Sequence, residues 1–400
     1  MLRITLTGLL TLLLSACGGE LSDNYPANQT GGGGGGGSGG GSNPTYPACE
    51  PGSAPTLFPN ALCICKDLAD VGALLVKNGP TQDPATLGVN GKMKVINHSG
   101  IEGSLLAHGG LEALANVDVQ DDFVSSSNVE FTGRLKVGQD LMVGGNLRGL
   151  GMLEVGGTLG VSGSQSLLGG KAVGTMGSFV APAGPPCACG AGQVLDVKAE
   201  VAKARSKNDN AKAKLPPSPV ATIGASKLVL NSGSYYFADK KAIGYTKIVV
   251  NGVVKMYIDG DLDVIGHDRF DITNGSTLDL FVSGNLHTVG YMLYGAKHHP
   301  AAFRLYIGGD QKVTVQVGAQ VFRGSIYAPN TTLVYTGYTK IEGSLLAKTI
   351  ESVGLLELYF ARPTTDGTGM KCTPPGGSSP PPSEPDDPPE PKDLPDIEQM

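Results

Sequence analysis

The feature that most constrains this chain is an apolar period of six. Phe123, Val129, Leu135, Leu141, Leu147, Leu153 and Leu159 follow one another at steps of six, with Phe131, Val137, Val143, Val155 and Val161 two places after five of them. Gly or polar residues fill the gaps, as in Val143-Gly144-Gly145-Asn146-Leu147 and Val155-Gly156-Gly157-Thr158-Leu159. A helix does not fit, because its apolar face recurs every three to four residues and disfavours internal Gly. Very short strands separated by Gly turns do fit. Three hexads, roughly 18 residues, make one triangular coil of a solenoid whose coils bury their apolar faces on each other.

A second stretch repeats the theme at longer, less regular intervals. Tyr257-Ile258-Asp259-Gly260-Asp261-Leu262 is echoed by Phe281-Val282-Ser283-Gly284-Asn285-Leu286 and then by Tyr306-Ile307-Gly308-Gly309-Asp310. The heptapeptide Ile341–Ala347 is identical to Ile101–Ala107, which marks both as corresponding coil edges. The expected fold class is mainly β: a right-handed parallel β-helix in two sections, residues 49–189 and 225–362. Between them, Val194, Val197, Val201 and Ala204 recur at helical spacing before Pro216, Pro217 and Pro219. Residues 190–224 therefore read as a connector with a short amphipathic helix laid over an end or a side of the solenoid, since open coil ends need cover.

The two ends are of low complexity. Residues 1–16 have a basic start, an apolar run from Ile4 to Leu14 and small residues before Cys17, the pattern of a secretory signal. Leu14-Ser15-Ala16-Cys17 resembles a bacterial lipobox, which implies acylation of Cys17 and anchoring to membrane lipid. The apolar run is shorter than the about 20 residues a spanning helix needs. Gly18 and Gly19 follow with no Asp, which by analogy favours the outer membrane, periplasmic face or cell surface. The lipidated linker 17–48 is Gly/Ser-rich and spans roughly 30 Å as a flexible tether. The tail 363–400 is Pro-rich and acidic, a composition that stays disordered. Seven acids against Lys392 in residues 373–400 give −6, equal to the net charge of the whole chain, so the body is near neutral. That excludes an electrostatic case for nucleic acid.

Six cysteines follow Cys17: Cys49, Cys63, Cys65, Cys187, Cys189 and Cys372. An even number in an exported chain points to disulfides, although sequence leaves the connectivity open. The two Cys-x-Cys pairs invite pairing with each other, which leaves Cys49 for Cys372. A zinc site is the weaker reading, because zinc motifs place two to four residues between paired cysteines.

No catalytic constellation is legible and no cofactor is implied. Asp259, Asp261 and Asp263 open like a calcium loop but lack its sixth-position Gly and twelfth-position Glu, so they read as the outward face of a strand. Asp261, Asp268, Asp271 and Asp279 are candidate outward carboxylates of a glycan-cleaving face. Tyr235, Tyr236, Tyr245, Tyr291 and Tyr294 are its candidate stacking residues.

Three features together carry a resemblance: Leu62-Cys63-Ile64-Cys65-Lys66-Asp67-Leu68, Pro185-Pro186-Cys187-Ala188-Cys189, and the coil run from Tyr257 to Tyr359. Over residues 49–362 the chain resembles uncharacterised myxobacterial lipoproteins with a β-solenoid domain, and its hexads are similar to those of the polymer-forming bactofilins. It departs from bactofilins in its export signal, its cysteines and its interruption. The resulting expectation is a non-enzymatic outer-membrane lipoprotein that presents a solenoid to cell-surface polysaccharide or envelope proteins, with self-association through solenoid ends as a further partner mode. The alternative is a polysaccharide-active enzyme or carbohydrate-binding module on the same scaffold.

Overall fold

The computed structural model describes residues 57–363, except 71, 80–82, 180–183, 216–219, 297–298 and 317–319. Cys17, Cys49 and Cys372 lie outside the described residues. The body is mainly β, with 61% strand in a parallel β-solenoid of about 13 turns and a single helix.

The hexads form the expected coil. Leu105–Ala107, Leu111–Ala113 and Val117–Val119 each bury their first and third residues and turn the middle one outward. Strand alternation makes this possible, since successive side chains point to opposite faces. Each coil pairs in register with the next one 18 residues on, as Leu87, Leu105, Phe123, Leu141 and Leu159 do. These five are fully buried, and each Leu placed there contributes roughly 1.5–3 kcal/mol of apolar burial.

Turn amides are met from the neighbouring coil, some by backbone carbonyls, as Gly145 by Ser127, and others by side chains. The Asn128 Oδ1 accepts from the Asn146 amide at 2.8 Å, and the Asn146 Oδ1 from the Ser164 amide at 2.8 Å. Asp122 and Asp140 do the same for the Asp140 and Thr158 amides. A buried or half-buried N–H left without a partner is costly, so these polar residues are structural.

Chain order is not stacking order. From Leu62 the first section builds away to the strand Lys171–Gly177. The chain then runs back along the outside and starts again at Val220–Phe237. The second section returns coil by coil until its last strand, Leu345–Phe360, pairs with Leu62–Ile64, Leu68–Asp70 and Ala73–Lys77. The two repeats of Ile-Glu-Gly-Ser-Leu-Leu-Ala thus stand on one sheet. Leu345, Leu62, Leu87 and Leu105 form successive rungs.

Two cross-links fasten the returning connector to the middle coil. Cys63 is bonded to Cys187 and Cys65 to Cys189, with Cα separations of 5.7 and 5.5 Å. The two Cys-x-Cys pairs therefore do meet each other, in parallel. Space for them comes from Gly88, where a Cβ would stand 2.9 Å from the Cys187 Sγ. Asn90 completes the fastening with reciprocal bonds to the Cys187 N–H and C=O, both 2.9 Å.

Beyond the disulfides comes the helix Val197–Ala204. Asp196 caps it by accepting from the Ala199 amide at 3.0 Å. Val197, Val201 and Ala204 face inward, as the helical spacing predicts. Of the two positions expected for this helix, end or side, it takes the side. Its apolar stripe covers an outward-facing aromatic row, Tyr236, Tyr257, Phe281, Tyr306 and Tyr327, each one coil from the next. Phe281 and Tyr306 stack with centroids 4.3 Å apart. The end itself is closed further on, where Leu215 joins the main core and Asn210 exchanges two hydrogen bonds with the Tyr236 backbone.

Candidate functional site

Most of the acids named from the sequence are engaged by neighbouring side chains or backbone amides. Asp259 is an ion-pair partner of Arg205 and accepts from the Tyr236 hydroxyl at 2.6 Å and the Ser283 hydroxyl at 3.2 Å. Burial works against its charge, and the Arg205 and Tyr236 bonds outweigh that and hold the carboxyl below the usual range. The Asp261 Oδ1 is taken by the Asn285 amide at 2.6 Å. Asp263 stands apart on its strand, between Lys241 and His287 in register. Among the described residues no group of three His, Cys, Asp or Glu could hold a metal ion.

Two of the four carboxylates proposed for a reactive face are buried. Asp268 points into the solenoid, where Lys240 and Tyr294 bind it. Asp279 does lie on an outer face, but Pro300–Ala302 crosses nearby and Arg304 neutralises it, leaving its side chain 4% exposed. Asp271 is shared by Lys247 and Arg269. The reason is local: each acid sits one coil from a basic or donor side chain, and the coil spacing brings them into contact.

Of the candidate tyrosines, Tyr235, Tyr236 and Tyr294 are buried. Tyr245 is partly exposed on an outer corner, its ring 4.8 Å from that of His267. Tyr291 follows His267 in backbone register.

That corner is the most unusual surface in the molecule. Ile223, Ile243, Ile265 and Val289 are consecutive rungs on it, exposed by 88%, 51%, 54% and 60%. The glycine after each, Gly224, Gly244, Gly266 and Gly290, has φ between +99° and +123°. This left-handed conformation bends the strand sharply and leaves the preceding side chain standing on a convex edge. After polar rungs at Gln316 and Thr336, the same corner continues through Val353, then Ile96 and Leu114, which follow the stacked Ser352, Val95 and Ala113. The polar Thr132 is the next rung, and the corner ends with Leu150 and Leu168. Of the fourteen exposed large hydrophobic residues among the described ones, nine lie on this corner.

Chance scatter would spread such residues over every face, whereas here they gather into apolar runs along one corner, with Ile223, Ile243, Ile265 and Val289 unbroken, and grouped exposed apolar side chains mark interaction surfaces. At about 4.8 Å per coil the ridge is roughly 60 Å long. Flanking rows are mixed in charge, such as Lys94–Glu112 and Glu130–Arg148, and neutralise themselves. Sequence reading missed the ridge because its motif, Ile or Val followed by Gly, recurs at changing intervals. Aligning Ala242-Ile243-Gly244-Tyr245 with Val264-Ile265-Gly266-His267 and Thr288-Val289-Gly290-Tyr291 would have found it.

Among the described residues, no helix is long and apolar enough to cross a membrane. Residues 192–361 match the model of a domain of unknown function (DUF7305), a span that begins before the helix and ends at the last strand. No curated protein and no solved structure matches the chain.

Proposed function

We propose that this chain is a non-enzymatic surface module in which the solenoid is a rigid rod and the apolar corner is its contact edge. An acylated Cys17 and a Gly-rich tether hold it at the outer membrane, and the partner is cell-surface polysaccharide or an envelope component. The observation that carries this reading is the ridge. Nine apolar side chains stand exposed along one corner, four of them on consecutive rungs, although the same corner accommodates polar Thr132 and Thr336 elsewhere. Aliphatic side chains along one edge suit an extended partner, whose apolar faces they would desolvate along its length. Against the alternative of a glycan-cleaving enzyme stands the fate of the acids, since Asp259, Asp271 and Asp279 are each engaged by a cation.

The test uses the full chain carrying Ile243→Lys, Ile265→Lys and Val289→Lys. Co-sedimentation with intact cells and with their isolated surface polysaccharide is compared with that of the parent chain. Binding weakened by about tenfold or more is expected from three charges on a desolvated line. Undiminished binding to both would sink the ridge as the contact edge. A companion Cys17→Ser chain should leave the membrane fraction, and its retention there would remove the lipid anchor from the reading.

A further inference from the structure

The interior of the second section contains a charged pair whose chemistry the fold does not need. Lys240 and Asp268 lie on neighbouring coils, and both side chains are 0% exposed. The Lys240 Nζ is 2.9 Å from each carboxylate oxygen of Asp268. The Tyr294 hydroxyl donates to the Asp268 Oδ2 at 2.7 Å. Aromatic rings wall the site: the Lys240 Nζ is 5.8 Å from the Phe270 ring centre, and Phe270 and Tyr294 meet edge to face at 5.0 Å. Phe303 packs behind them, 6.1 Å from both.

We propose that Lys240 and Asp268 join in an intramolecular isopeptide bond. The Lys240 nitrogen bonds to the Asp268 side-chain carboxyl carbon as the bond from that carbon to Oδ2 breaks. Two of the three ammonium protons pass to the departing oxygen, which leaves as water, and an amide N–H remains. Ammonium and carboxylate become amide and water, so atoms and charge balance with no other reactant.

Three features of the site favour the step. Proximity replaces a bimolecular encounter by a held pair, an advantage that reaches effective molarities of about 10⁵–10⁸ M in well-oriented cases. Burial makes a charged pair expensive to keep, and the amide carries no charge. Third, Tyr294 is placed as a positioning residue. Its hydroxyl marks Oδ2 as the leaving oxygen, draws electron density from the carboxyl and keeps Oδ1 turned to become the amide oxygen. Burial, with Asp268 beside it, holds that hydroxyl well above its ordinary pKa, so it remains a donor. A second buried pair among the described residues, Asp279 with Arg304, differs in its cation. Its cation is a guanidinium, always charged and a poor nucleophile, so it stays an ion pair.

The bond would clip residues 28 apart in sequence and lock two successive coils. It does not depend on what the ridge binds.

The test is a tryptic digest of the denatured, reduced full chain, read by mass spectrometry. We expect no cleavage after Lys240, and a branched peptide that contains both residues and is lighter by one water than the sum of its parts. Lys240→Met and Asp268→Ala chains should give only linear peptides. If either variant fails to fold, the parent digest alone still decides. Complete cleavage after Lys240, with the Asp268 peptide at its full mass, would overturn the proposal. With Tyr294→Phe, the cross-linked fraction after refolding should rise about tenfold or more slowly. An unchanged rate would remove Tyr294 from the step.

Discussion

Leu345, in the last strand, stacks in register on Leu62, in the first, and both side chains are fully buried. The chain therefore closes its solenoid in the middle, with the first-made coil waiting for the last-made one. Leu62→Ala and Leu345→Ala should each cost about 2–5 kcal/mol, as large-to-small changes in packed cores do. Because the two side chains touch one rung, the double variant should fall short of the sum. Denaturant unfolding under oxidising conditions measures all three, and full additivity would mean that the seam is not a packed contact.

The two disulfides close the same loop, each joining residues 124 apart. Chain-entropy arguments assign about 5 kcal/mol to closing a loop of that size. Once one bridge is formed, the other closes almost nothing further. Cys63→Ser with Cys187→Ser, or Cys65→Ser with Cys189→Ser, should cost little. Removal of all four cysteines should cost most of the full amount. A large loss from either single pair would show that the bridge itself, rather than loop closure, stabilises the coil.

Alkaline pH should unfold the body through its covered aromatic row. Burial raises Tyr257 to about 12, and burial likewise raises Tyr236 and Tyr327 above their ordinary value. In the unfolded chain they ionise near 10. A folded value above the unfolded one means that the stability is fully present below about pH 10 and is lost as pH climbs towards 12. Tyrosinate absorbance should therefore appear together with loss of β structure. Ionisation of the whole set near pH 10 with the fold intact would contradict the burial of this row.

Gly266 and Gly275 both adopt left-handed φ, at +123° and +77°. A Cβ on Gly266 would stand 2.3 Å from the Gly244 carbonyl oxygen, whereas one on Gly275 meets nothing within 4 Å. Gly275→Ala should cost about 1–3 kcal/mol through backbone strain alone. Gly266→Ala should cost clearly more, because the corner glycines are also in coil-to-coil contact. Equal thermal shifts for the two variants would refute that close approach.

Much of this was legible from residues alone. The period of six announced the coil, since alternating strand residues and Gly turns admit few other arrangements. Helical spacing of Val197, Val201 and Ala204 located the helix and its buried face. The duplicated heptapeptide was read correctly as two equivalent edges. What failed was the placing of Asp268, Tyr235 and Tyr294 on an outer face, since all three lie in the interior. Asp268 lies two places before the core residue Phe270 and in register with buried Thr246, so its carboxylate enters the interior, where Lys240 and Tyr294 meet it.

The coil and the helix were readable from residues alone, because each rests on short-range periodicity that any local conformation must honour, whereas the two Cys-x-Cys pairs were only expected to meet and the structure supplied their partners. Only the tertiary structure decided the order in which coils stack, the seam of Leu62 on Leu345, the apolar ridge and the meeting of Lys240 with Asp268. Those relationships join residues one or more coils apart. They are set by how each coil registers on the next, and coils of unequal length hide that register from a linear reading.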